Sequence, residues 1–127
     1  MKTPLDYTRA LMSKAANDLL AAEAVLATGK AMDAVCFHAQ QAVEKSLKAL
    51  LALKDIEYPR RHDLGELLSL AKNYWPEVAR FEDRIVDLTP YAVLVRYDAE
   101  FEPSMQQALE ALKVAHEMFD FVRAIAG

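Results

Sequence analysis

Residues 37–51 read Phe-His-Ala-Gln-Gln-Ala-Val-Glu-Lys-Ser-Leu-Lys-Ala-Leu-Leu. The apolar positions recur with the three-to-four spacing of a buried helix, and no proline or glycine interrupts them. Gln41, Glu44 and Lys48 fall on one strip of that helix, within about 60° of each other at 100° per residue, beside the apolar arc rather than opposite it. Polar groups at the edge of a core need partners. The strip is therefore either a structural network or a binding surface, on a stretch that reads as a buried helix.

The rest of the chain agrees. Its 127 residues are 54% hydrophobic and contain three glycines. That length and mix suit one all-helical domain, residues 1–127, with a core of its own. The single cysteine, Cys36, excludes an internal disulfide and a cysteine-based zinc site. It reads as a small buried hydrophobe. No apolar run is long enough to span a membrane, and the opening MKTPLDYTRA lacks the apolar core of a signal segment, so a cytoplasmic, soluble protein is expected. A net charge of −4 provides no long-range attraction for nucleic acid or acidic lipid, which leaves only local cation clusters for phosphate binding.

Five helical segments are predicted. The first spans Leu5 to Thr28, with Leu11, Ala15, Leu19, Ala22 and Leu26 inward and Gly29 as its stop. The second runs from Met32 to Lys54, with Cys36, Val43, Leu47, Leu50 and Leu51 inward. A loop over 55–62 carries Pro59 and the dense basic cluster Arg60-Arg61-His62, which reads as a solvated loop or a phosphate contact. Asp63 and Glu66 form a capping-box pattern for a third helix ending near Tyr74. Pro76 suits the start of a fourth, with Val78, Phe81, Ile85 and Leu88 inward. Pro90 breaks or kinks that helix, and a continuation through Val95 is expected. The last helix, Pro103 to Ala126, has apolar residues around roughly two-thirds of its circumference, beyond the stripe of about 100° that a surface helix needs. That width fits a central helix buried by its own bundle or, the reading preferred, a homodimer through the C-terminal helix. The architecture is an up-and-down bundle.

Asn17-Asp18-Leu19-Leu20, the 37–51 stretch with its QxxEKxxKA element, His62-Asp63-Leu64, and Tyr91 to Asp98 with its Arg96-Tyr97 pair follow one another along nearly the whole chain. In that order they resemble the HEPN domain. The resemblance implies a bundle of four or five helices that tends to dimerise, an association with nucleotides or RNA, and a small nucleotidyltransferase as protein partner in a toxin–antitoxin-like system. Ribonuclease branches of the family carry an arginine, four to six intervening residues and a histidine. After Arg96 the matching positions are Phe101, Glu102 and Pro103, and no other arginine has a histidine at that spacing.

The candidate ligand-binding residues are His38, Gln41, Glu44, Lys45, Lys48, Arg96 and Tyr97. Glu44 and Lys48 form an i,i+4 pair in the better orientation, and Arg96 is placed to bond Glu44 and hold the bundle in register. Alternatively Lys48, Arg96 and Lys45 hold phosphate, Gln41 reads a base or sugar, and Tyr97 stacks. His38 is the one histidine able to join Lys45 at a surface groove, whereas His116 reads as a core or interface histidine. No Walker-type loop, HExxH or Ser/His/Asp signature occurs, and neither cofactor nor metal is expected. Three readings stay open: a nucleotide- or RNA-associated accessory module, a metal-independent ribonuclease using Arg96 with His38 or Glu100, and a purely structural dimerisation domain.

Overall fold

A computed structural model describes residues 1–58, 63–93 and 98–127. The expectations for Arg60, Arg61, His62, Arg96 and Tyr97 lie outside the described residues. The elements are α1 (Pro4–Ala27), α2 (Met32–Leu53), α3 (Leu64–Lys72), a 3-10 segment (Pro76–Phe81), the single turn α4 (Glu82–Ile85) and α5 (Met105–Ala126). Among the described residues there is no strand, and no helix is long and apolar enough to cross a membrane.

Local chemistry sets the helix ends. Thr3 caps α1 in a capping box, its hydroxyl accepting from the Asp6 amide at 3.2 Å while its own amide donates to the Asp6 carboxylate at 2.8 Å. Those bonds hold the Asp6 carboxyl below the usual carboxylate range. Gly29, at φ +72°, takes the left-handed position that ends α1. Ala31 is also left-handed, at φ 55°, which lets a four-residue turn reverse the chain into α2. At the far end of α2, Asp55 (φ 52°) occupies the place glycine usually fills. The Ile56 amide bonds back to the Leu51 carbonyl at 3.1 Å and the Asp55 amide to Ala52 at 3.0 Å, closing a Schellman motif. Asp63 caps α3 as its sequence pattern predicts. Ser104 and Gln107 close a second capping box at α5.

The central element is α2. Twelve of its 22 residues are buried, against five of 24 in α1 and seven of 22 in α5. It packs against α1, α3 and α5 together. A buried hydroxyl reinforces the α1 contact: Thr8 Oγ1 donates to the Ala49 carbonyl at 2.8 Å.

The fourth segment departs from a plain helix. Val78, Phe81, Ile85 and Leu88 are all buried, as their spacing predicts. The chain reaches them, however, through a 3-10 segment, one α-turn and a run of turns over 86–90, and is helical again at 91–93. Bonds from the amides of Leu88, Tyr91 and Val93 to the carbonyls three residues back keep that inward row facing the core. The interruption is thus spread over five residues that end at Pro90. Arg80 lies over the rings of both Phe81 and Phe121, 4.8 and 5.1 Å from their centroids, and ties the 3-10 segment to α5.

Two expectations about α5 need correction or limits. His116 is not a core residue: its side chain is 40% exposed, and Nε2 meets the Glu23 carboxylate of α1 at 2.6 Å. Leu112 and Phe119 are apolar neighbours at helical spacing, but Lys113 and Asp120 flank the other side, and its own position opens at the α1–α5 edge. The broad apolar surface is covered by the bundle over Ala108, Ala111, Val114, Ala115, Met118 and Val122, while Met105, Leu109 and Ile125 stay exposed.

Cys36 is fully buried beside Tyr91, and desolvation pushes its thiol up to about 11. The folded chain therefore keeps the thiol proton to higher pH than the unfolded chain. Stability contributed by the neutral thiol is complete below the ordinary thiol range near 9 and is lost as pH rises toward about 11. Urea unfolding should show a steeper loss of stability across that interval in the wild type than in Cys36→Ala. Identical pH profiles for the two proteins would refute this.

Candidate polar site on the central helix

The least buried arc of α2 carries His38, Gln41, Lys45 and Lys48, all half-buried. Positions i, i+3, i+7 and i+10 line up on an α-helix and span about 15 Å. Two hydrogen-bonded groups sit along this row.

In the first, the carboxylate of Asp18 on α1 is shared between two side chains of α2. Oδ1 meets His38 Nδ1 at 2.9 Å, and Oδ2 accepts from Lys45 Nζ at 2.5 Å. An ionised carboxylate only accepts, so Nδ1 donates in this bond, which in the neutral ring makes Nε2 the acceptor nitrogen. The expected pairing of His38 with Lys45 is thus present, through a carboxylate from another helix.

In the second, Gln41 Nε2 donates to Gln40 Oε1 at 2.7 Å, and Gln40 Nε2 donates to Glu44 Oε1 at 3.3 Å. Glu44 Oε2 accepts from Lys48 Nζ at 3.1 Å. Lys48 Nζ also lies 5.5 Å from the centre of the Tyr58 ring. The Glu44 side chain is only 4% exposed and that of Lys48 17%. This pair is well sheltered from water, so its bonds are worth more than those of a surface i,i+4 pair.

The structure brings together His38, Gln41, Glu44, Lys45 and Lys48 from the sequence candidates. It adds Asp18, Gln40 and Tyr58. Gln40 was visible as a polar residue inside the apolar arc, which is a signal of a buried network. Asp18 sits next to the inward residue Leu19 of α1 and carried a similar signal.

Charge along the row is balanced, with Asp18 and Glu44 opposing Lys45 and Lys48. Each ammonium has three donors and spends one on the bond described. The row can therefore bond an incoming acceptor without giving up its internal pairs. Among the described residues no group of three histidine, cysteine or acidic side chains is placed to hold a metal ion.

A comparison with family models matches the HEPN domain over residues 8–125. The chain belongs to the HEPN domain family. Its fold is similar to the crystal structure of an archaeal HEPN homologue, with a TM-score of 0.76 and 24% sequence identity over the full length of both chains. No curated protein gives a significant match. The HEPN bundle expected from the sequence is thus the fold observed. Within that fold, the QxxEKxxKA element supplies Gln41, Glu44 and Lys48, and Gln40 just before it completes the buried Gln40–Glu44–Lys48 network.

Removing Glu44 leaves a buried amide and a sheltered ammonium short of an acceptor. Glu44→Ala should cost about 2–4 kcal/mol of unfolding free energy. Glu44→Gln, which keeps one acceptor oxygen, should cost less. Chemical denaturation of the three proteins measures both, and a loss below half a kcal/mol in Glu44→Ala would contradict the network's structural weight.

Proposed function

We propose that this HEPN domain is a nucleotide- or RNA-associated accessory module, and that its ligand face is the α2 row of His38, Gln41, Lys45 and Lys48. The observation that carries this reading is the supply of uncommitted donors on two ordered, half-buried ammonium groups about one helical turn apart. Ordering them against Asp18 and Glu44 lowers the entropy lost when an anion binds. In the same reading the module works beside a small nucleotidyltransferase in a toxin–antitoxin-like pair. The support for that partner is family membership. The homodimer through the last helix is favoured by Met105 and Leu109, which sit one turn apart on α5 and remain exposed.

A second reading rests on His38. Its Nε2 lone pair, with Nδ1 held by Asp18, is the arrangement a general base needs. A metal-independent ribonuclease would use it to accept a hydroxyl proton. The sequence lacks the arginine–histidine spacing of the nuclease branches, so the module reading is preferred.

ATP or AMP should raise the melting temperature, and Lys45→Gln should reduce the shift. RNA incubated without metal should stay intact. No shift with any nucleotide would remove the module reading, and RNA cleavage lost in His38→Gln would replace it with the nuclease. Light scattering at tens of micromolar should give a dimer mass, with Leu109→Glu returning a monomer. A monomeric wild type would rule out the α5 interface.

A further inference from the structure

Where the end of α5 lies against the first half of α1, a cavity of about 300 Å³ opens between the two helices. It shares no residue with the α2 row, and it lies at the other end of α5 from the exposed pair Met105 and Leu109. Its apolar part is built from the half-buried Met12, Phe119 and Ala126. Arg9 and Ser13 line it from α1, and Arg123 lines it from α5. Three other cavities on the surface are each lined by two carboxylates, whereas this one is lined by no acidic side chain. On a chain of net charge −4 that is a local reversal of sign.

We infer that this cavity binds a medium-chain fatty acid, with the alkyl chain on Met12, Phe119 and Ala126 and the carboxylate held between Arg9 and Arg123. The donors are present and available. Arg9 makes no hydrogen bond or ion pair among the described residues. The one carboxylate whose charge it helps to stabilise, that of Asp6, is already bonded to the Thr3 amide. Arg123 gives one nitrogen to Asp120 at 3.0 Å and lies 5.6 Å from the centre of the Phe119 ring. Those contacts hold its guanidinium beside the apolar part of the cavity while most of its five N–H groups stay unspent. The Ser13 hydroxyl is a further donor. A planar carboxylate matches the paired N–H geometry of a guanidinium, and a fixed arginine loses little entropy on binding it.

The remaining features narrow the ligand. The amino-terminal part of α1 and the carboxyl end of α5 meet here, so their opposed helix dipoles offset each other and the two guanidinium groups set the local charge. A cationic head would be repelled by them. An inorganic anion would leave the apolar surface wet, and a neutral alkane would leave the charged donors unused. The volume is at the lower end of the range for small-molecule sites, roughly 300–1,000 Å³, which suits one short chain rather than a two-chain lipid.

Titration calorimetry of the full chain with octanoate, octanol, octylamine and acetate tests head and chain separately. Octanoate should bind the wild type, and each of the other three should bind about tenfold more weakly or worse. Arg9→Gln and Arg123→Gln should each weaken octanoate about fivefold. Ser13→Leu, which fills the cavity from an exposed position, should abolish binding, and Lys45→Gln should leave it unchanged. Unchanged melting temperatures of the ligand-free variants verify that all of them fold. Equal binding of octanol and octanoate overturns the proposal, as does octanoate affinity unaltered in both arginine variants. Octanoate binding lost in Lys45→Gln but kept in the arginine variants places the carboxylate on the α2 row and also overturns it. A wild type that binds no octanoate overturns it outright, and a dimer that Ser13→Leu then dissociates assigns the cavity to a second copy of the chain.

Discussion

The Glu44 carboxylate is almost fully enclosed in the helix that every other long element packs against. Holding a charge there costs several kcal/mol unless donors surround it. Gln40, one turn before, and Lys48, one turn after, supply them from the same helix. The apolar arc and the bonds of His38 and Lys45 to Asp18 on α1 fix how α2 is turned about its own axis. The apolar residues Val43, Leu47, Leu50 and Leu51 fill the core on one side. Gln40 lies within that arc and Glu44 borders it, and Lys48 reaches toward the edge where its ammonium meets both the carboxylate and the Tyr58 ring. A rotation by one residue position, 100°, would carry these intrahelical pairs along with the helix, but it would turn the apolar row out of the core and break the bonds of His38 and Lys45 to Asp18 on α1. The apolar pattern and the bonds to Asp18 thus select the same orientation.

With α2 oriented, the position of α1 is set at two heights. Thr8 reaches the Ala49 carbonyl, and Asp18, ten residues further on, bridges His38 and Lys45. The two attachments are about 15 Å apart along α1. A slide of α1 by one turn would break both, because each needs a particular acceptor or donor opposite. The long hairpin of α1 and α2 is therefore held in register by named hydrogen bonds as well as by packing. The α5 helix is attached more loosely at its start, where Met105 and Leu109 face outward, and more firmly around Phe121 and Arg80.

Most helices were legible because their signals are local. Gly29, Asp63 and Pro76 each act within one turn of the chain, and the observed boundaries fall beside them. The residues that should face inward in the fourth segment were also legible, since spacing depends on the side chains. The shape of that segment was not, because 3-10 and α geometry share nearly the same inward spacing over so short a run. Enclosure was less legible. The apolar circumference of α5 marked it for burial by its own bundle or by a second subunit, while α2, with as many polar residues, is the helix the structure encloses most. Enclosure depends on whether polar groups find partners in neighbouring helices, and Asp18 is a partner contributed from another helix. His116 shows the converse, since the apolar Leu112 and Phe119 at helical spacing did not reveal that its own edge meets Glu23. Ser46 is buried with no hydrogen-bond partner among the described residues, and a lone hydroxyl in a helix gives no sequence signal of that state.

The same physics limits what the QxxEK element says about chemistry. Glu44 and Lys48 are needed by the fold itself, and their pairing would persist in a protein with no ligand. A residue pattern that closes a buried network marks the bundle more strongly than it marks a site. The functional content lies in what the network does not consume: the second and third donors of Lys45 and Lys48, the free Nε2 of His38, and the Tyr58 ring at the end of the row. These groups are positioned by the folding network but not used up by it. Their arrangement is one that a phosphate-bearing ligand can exploit without dismantling the pairs that hold α2 in place.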